Sequence, residues 1–210
     1  MNWWPNNLDR IGIAFLEHLY LLVVPITIAF VISLAVGIYS AKKPKLYAFI
    51  MIVTGILFAV PSLALFALFI PIFGIGTVPA IIGLAAYSLM IMIRNIATGF
   101  QNLPPEVVDA AHGMGYGRWR RIYEIELPLA MPFIIAGLRI ASVTVIGIAT
   151  IAAYINAGGL GTIIFEGLDQ RYPEKIFVGG ALTSALALSV DFALSMVERK
   201  LRKTTGGDPR

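Results

Sequence analysis

Charge along this chain is confined to narrow bands. No Asp, Glu, Lys or Arg occurs from Leu19 to Ala41, from Leu46 to Ile93, or from Ile140 to Phe165. A helix needs about 20 apolar residues to cross roughly 30 Å of hydrocarbon. The first and third runs reach that length, and the second is long enough to cross twice. A fourth apolar stretch, broken by Asp191, follows Lys175. The pattern predicts an all-α membrane protein with five transmembrane helices, at about 19–41, 47–70, 77–97, 130–152 and 176–197. The cluster Pro71, Gly74, Gly76 and Pro79 is the natural turn between the second and third spans. Pro61 is expected to kink the second span, with a neighbouring helix satisfying the freed carbonyl.

Composition excludes several classes. Charged residues make up 13% of the chain, against about 25% in soluble domains. There are no cysteines, which removes disulfides and thiolate metal sites, and the two histidines, His18 and His112, are too far apart in sequence to suggest a metal cluster. The net charge of +4 reads as membrane topology rather than nucleic-acid affinity. The opening residues lack a basic stretch followed by an apolar core, so no cleavable signal is expected, and Trp3 and Trp4 read as interfacial anchors.

Lys42, Lys43 and Lys45, then Arg118, Arg120 and Arg121, then Arg199, Lys200, Arg202 and Lys203 all fall on one side of a five-span chain. The positive-inside rule makes that side cytoplasmic, with the N-terminus outside and the C-terminus in the cytoplasm. The 153–175 connection then lies outside, where Glu166, Asp169 and Glu174 offset Arg171 and Lys175. Its Gly158-Gly159-Leu160-Gly161 turn leads into an apolar stretch that reads as a short helix at the outer face. No phosphate-loop lysine follows, so nucleotide binding is not expected there. The basic tail, Arg199 to Arg210, is suited to anionic headgroups.

The polar stretch 98–128 interrupts the spans. Pro104-Pro105-Glu106 opens a helix, with proline in the first turn and a carboxylate at the positive end of the dipole. Gly113, Gly115 and Gly117 interrupt it, and Arg118 to Ile125 is again helical in pattern. Trp119, Ile122 and Tyr123 form one stripe, with Arg118, Arg120, Arg121, Glu124 and Glu126 as its polar complement. Pro128 and Pro132 mark the start of the fourth span. Two readings follow from the residues: an amphipathic helix resting on headgroups, or a coupling element that fits a groove on a soluble partner.

The spacing Asp109-Ala110-Ala111, three residues, Gly115, nine residues, Ile125, one residue, Leu127-Pro128 resembles the "EAA" signature of permease subunits of bacterial ABC importers. Asp109 stands where that signature has glutamate. The resemblance extends from about residue 19 to 197 and implies a type I importer permease fold of the methionine-permease (MetI-like) kind in the bacterial cytoplasmic (inner) membrane. It implies that Asp109, Ala110, Ala111, His112, Gly115, Arg118, Ile125, Leu127 and Pro128 couple the chain to an ATPase. The implied partners are two ABC ATPase subunits carrying the ATP and magnesium, a second permease copy or paralogue, and an extracytoplasmic substrate-binding protein. The chain itself has no Walker lysine motif, no bound cofactor and no catalytic site of its own.

Within that family the chain resembles the osmoprotectant permeases for glycine betaine, carnitine and choline. The passages that carry this are Val60 to Ala67, Arg94 to Gly99, Asp109 to Gly115, and Ala157 to Gly161. Permeases for methionine or for ergothioneine are the alternatives, followed by a non-transport membrane protein. The aromatics Phe58, Phe66, Phe69, Tyr87 and Tyr154 are candidates for the pathway, although packing and interfacial belts use the same residues. Arg94, Arg139 and Asp191 fall inside spans, where a bare charge is costly. A pair between Asp191 and Arg139 or Arg94 would reduce that cost, as a packing clamp or as a gate.

Overall fold

The computed structural model describes residues 3–204, so the end of the basic tail, 205–210, lies outside the described residues. The chain is all helix. In order, the helices are α1 (Leu8–Ala41), α2 (Pro44–Ala59), α3 (Ser62–Phe73), α4 (Thr77–Gln101), α5 (Pro105–Gly113), α6 (Arg118–Arg121), α7 (Leu127–Ile151), α8 (Leu160–Asp169) and α9 (Pro173–Thr204). Among the described residues, α1, α4, α9 and the continuous run Arg118–Ile155 are each long and apolar enough to cross a membrane. The pair α2–α3 meets the same test only together.

Helices α1, α4 and α7 form the centre, and α9 packs on α7 and α8. The interior is lined by Ala29, Leu84, Met92, Ile96, Ala97, Ala130, Ile134, Ala141, Val145 and Ile146. Apolar lipid gives helices no hydrophobic reason to associate, so close packing of small residues has to hold them together. Gly37 of α1 lies against the Ile96 side chain, and Gly137 of α7 lies against Asn95. A methyl group at either position would meet α4 at 2.6 Å.

Pro61 does more than kink the second span. It divides the span into α2 and α3, which meet at 95°. The ring of a proline drives the preceding residue out of the helical region, and Val60 is extended, at φ −66° and ψ 132°. The Tyr87 hydroxyl, from α4, donates to the freed Val60 carbonyl. Gly74 and Gly76, both at positive φ, make the turn into α4.

The first helix begins at Leu8, well before the charge-free run, because its polar residues have partners at the far end of the chain. Arg10 pairs with Glu166. Glu17 Oε2 accepts from the Gly159 amide at 2.8 Å, and the His18 Nδ1 accepts from the Leu160 amide at 3.2 Å. These amides belong to the first turn of α8, whose leading N–H groups have no partner within the helix. Because His18 Nδ1 accepts, the proton sits on Nε2, which donates to the Ile146 carbonyl at 3.1 Å. His18 is thus a neutral, fully buried pin joining α1, α7 and α8. Nearby, the Trp3 amide donates to Glu174, and Lys175 is buried against Trp3, Gln170 and Glu166. The short helix α8 and the pairing of Lys175 have their physical basis in these contacts.

Replacing His18 with Ala strands one amide and one carbonyl in the interior, which costs about 1–3 kcal/mol for each. His18→Ala is therefore expected to lower the thermal midpoint of the detergent-solubilised protein markedly. His18→Gln, which keeps one donor and one acceptor, should recover part of the loss. Equal midpoints for His18→Ala and the unmodified protein would refute the role of the pin.

Candidate functional site

The expected 98–128 loop contains little loop. Its first residues complete α4. Pro105 and Glu106 then open α5, and the chain returns to helix at Arg118. Asp109, Ala110 and His112 are exposed on α5, while Ala111 is fully buried and seats the helix on the body.

The carboxyl end of α5 accounts for Gly115. The Tyr116 amide donates to the Ala111 carbonyl at 3.1 Å, and the Gly115 amide donates to His112 at 3.0 Å. This bond pair is the Schellman arrangement, which needs a left-handed residue just past the cap. Gly115 holds that position at φ +78°. Gly113 is the last helical residue, and Gly117 is extended, so only one of the three glycines makes the turn.

From Arg118 the helix continues through a wider turn, Ile122–Glu126, into α7. The Leu127 amide bonds the Ile122 carbonyl, five residues back. Pro128 has no amide, and its ring excludes a normal turn against the carbonyl four residues earlier, so the wide turn makes room for it. Leu127 packs against the core, Ile125 is half-buried and Pro128 is exposed.

The wide turn also splits the expected apolar stripe. Ile122 is buried, but Trp119 and Tyr123 stack on each other outside, at 68% and 64% exposure. Val107 on α5 and Met114 just past it are also exposed apolar residues. Arg120 pairs with Glu124 and lies over the Tyr116 ring.

Glu126 lies inside this end, 1% exposed. Its Oε1 accepts from Lys42 Nζ at 2.9 Å and from Arg121 Nε at 2.8 Å. One carboxylate therefore ties the end of α1 and the end of α6 to the start of α7. The sequence reading assigned Glu126 to the polar face. The available signal was its place between Ile125 and Leu127, where a surface residue has no reason to be.

In the spans, Arg139 forms a two-pronged bond with Asp191, Nε to Oδ1 at 2.5 Å and a terminal nitrogen to Oδ2 at 3.0 Å. Glu198 lies 3.5 Å from the same guanidinium and also pairs with Arg202. Arg94 is not part of this group. It is exposed on α4 and forms no ion pair among the described residues.

The pathway candidates divide. Phe58 meets Tyr87 edge to face at 5.7 Å, and Phe69 packs near Tyr87, so these three gather at the break between α2 and α3. Phe66 is fully buried against Gly83. Tyr154 is exposed and lies against Phe165.

Residues 19–203 match the family described as the binding-protein-dependent transport system inner membrane component. This chain belongs to that family. It is a multi-pass permease subunit of a bacterial ABC-type importer, a transport subunit of the inner membrane rather than an enzyme. The permease is 38% identical to the carnitine transport permease protein OpuCB of Listeria monocytogenes, over 88% of this chain and 85% of the relative. It is 36% identical to the glycine betaine/carnitine/choline transport system permease protein OpuCB of Bacillus subtilis, over the same shares. With the osmoprotectant import permease protein OsmW of Salmonella typhimurium it shares 33% identity over 92% of each chain. Among solved structures, an inward-facing MetNI methionine ABC transporter chain superposes with a TM-score of 0.83, covering 96% of this chain and 99% of that one. At 23% identity that likeness carries the fold alone.

Two outcomes test the geometry of the permease. Gly115→Ala forces a side chain into the left-handed region, at a cost of about 1–2 kcal/mol. Gly113→Ala, in helix and open space, should be neutral or slightly stabilising. Thermal midpoints for the pair separate a cap from a merely small-residue turn. For the ion pair, Asp191→Asn leaves Arg139 only its longer contact with Glu198, whereas Arg139→Met with Asp191→Leu removes both charges of the close pair. The single variant should yield less folded protein than the double, measured by size-exclusion recovery from membranes. The reverse order would rule out a structural clamp.

Proposed function

We propose that this permease serves an ATP-driven importer of quaternary ammonium osmoprotectants, the class of glycine betaine, carnitine and choline. The observation that carries the reading is the agreement among relatives named for those solutes, at 35–38% identity over 88% of the chain. In this reading two permeases, identical or paralogous, form the pathway, and a separate binding protein delivers the solute from outside. The three basic clusters face the cytoplasm, and two ATPase subunits, carrying ATP and magnesium, dock on α5.

The coupling is mechanical. Asp109, Ala110 and His112 face outward on a helix that Ala111 and the Gly115 cap hold against the body. A push on α5 reaches the spans through Arg121 and Glu126, because the same carboxylate also holds the end of α1. A flexible loop would absorb the motion, and this one is pinned at both ends.

The test is solute-stimulated ATPase activity of the purified complex reconstituted with its binding protein. Stimulation by glycine betaine, carnitine or choline supports the reading, whereas stimulation by methionine alone overturns the solute class and keeps the importer. In the same assay Asp109→Lys should lower stimulated turnover about tenfold or more, since a reversed charge at an interface costs over 1.4 kcal/mol. Unchanged turnover would remove Asp109 from the docking surface.

A further inference from the structure

Where the end of α1 meets α6 and the wide turn, a pocket of about 140 Å³ is lined by Tyr39, Lys42, Lys43, Arg118, Arg121 and Glu126, among others. Four cations and one carboxylate leave it with three uncompensated positive charges. Lys42 and Arg121 share Glu126. Lys43 lies 3.7 Å from the centre of the Tyr39 ring, and neither it nor Arg118 has a carboxylate partner among the described residues.

Topology alone accounts for lysines at the end of α1, where they also complement its dipole. It does not account for Arg118 and Arg121 converging on the same pocket from an element far away in sequence. They stand in the first turn of a helix that runs unbroken from Arg118 to Ile155, where the dipole opposes a cation. An anion in the pocket would relieve both the crowding and the dipole.

The surroundings indicate where the anion comes from. None of the pocket's lining residues belongs to α5, the candidate docking helix. On α1, Ile28, Ile32, Ala35 and Tyr39 form one exposed stripe leading to the pocket, suited to an acyl chain below a headgroup. Basic pockets between helices at the cytoplasmic face take such headgroups. We propose that this pocket binds the phosphate group of an anionic phospholipid, with an acyl chain lying along that stripe. The proposal is independent of which solute the importer carries.

The test uses the whole importer complex, solubilised, exposed to phosphatidylcholine micelles with or without phosphatidylglycerol, and examined by native mass spectrometry. One phosphatidylglycerol should be retained per permease copy. Lys43→Gln with Arg118→Gln should weaken retention about thirtyfold, taking the usual contribution of each basic side chain near an anionic surface. Lys45→Gln removes the same charge from the same segment without touching the pocket, and should leave retention unchanged. Equal loss in Lys45→Gln, or no loss in the double variant, would overturn the proposal, as would failure of the unmodified complex to retain any phosphatidylglycerol. Inorganic phosphate serves as the competing source. If it occupies the pocket in the detergent complex while phosphatidylglycerol is not retained, the ligand is a soluble phosphate and the lipid assignment fails. If the double variant sheds its ATPase subunits with its lipid count unchanged, the cations serve a protein contact instead. Where the double variant does not assemble, charge-conserving Lys43→Arg with Arg118→Lys should retain the lipid, and its loss there would count against the proposal.

Discussion

A peptide group inside a membrane has no water to turn to, and this constraint organises the whole chain. At three places where a helix starts, stops or bends, the released backbone groups find a partner. Tyr87 reaches from α4 to the carbonyl freed at Pro61. Glu17 and His18 reach from α1 to the leading amides of α8. At the end of α5 the chain closes on itself through the Gly115 cap. The first two of these contacts also fix where two helices sit relative to each other, so satisfying the backbone and positioning the helices are achieved together.

Buried charge follows a similar logic. Glu126 is tolerated because two cations share one of its oxygens, and those cations come from different helices. Removing a charge from water is repaid only when the geometry is good, so such a group resists small displacements of its partners. That stiffness holds α6 and the end of α1 against the start of α7. The Arg139–Asp191 pair is different, since both side chains remain about a third exposed in the single subunit. Charge near the middle of a span is costly against lipid, and here the two charges offset each other through the two-pronged bond.

The long apolar helices were legible because burial in hydrocarbon leaves long charge-free runs, and α5 was legible because Pro105 and Glu106 open a helix and Gly115 closes it. The start of α1 was not legible. The charge-free run begins only at Leu19, and the helical residues Arg10, Glu17 and His18 before it find their partners in contacts with residues near 160. The break at Pro61 read as a kink, because sequence gives the lost hydrogen bond but not the angle. The Trp119, Ile122, Tyr123 stripe assumed a uniform helical period, and the wide turn before Pro128 changes that period just where the stripe ends. Glu126 was misassigned for the same reason.

The broken helix has one more property. At a rise of about 1.5 Å per residue, the 16 residues of α2 and the 12 of α3 are each too short to cross the hydrocarbon alone. They join at an extended Val60 with no helical bond across the junction other than those already closed at each end. Swinging one half against the other therefore turns about Val60 and exchanges the Tyr87 hydroxyl bond and the packing of Phe58 and Phe66 on α4, while every helical rung stays intact. An element that moves in this way needs no local unfolding in a solvent that would punish it, and Phe58, Phe69 and Tyr87 sit at its pivot.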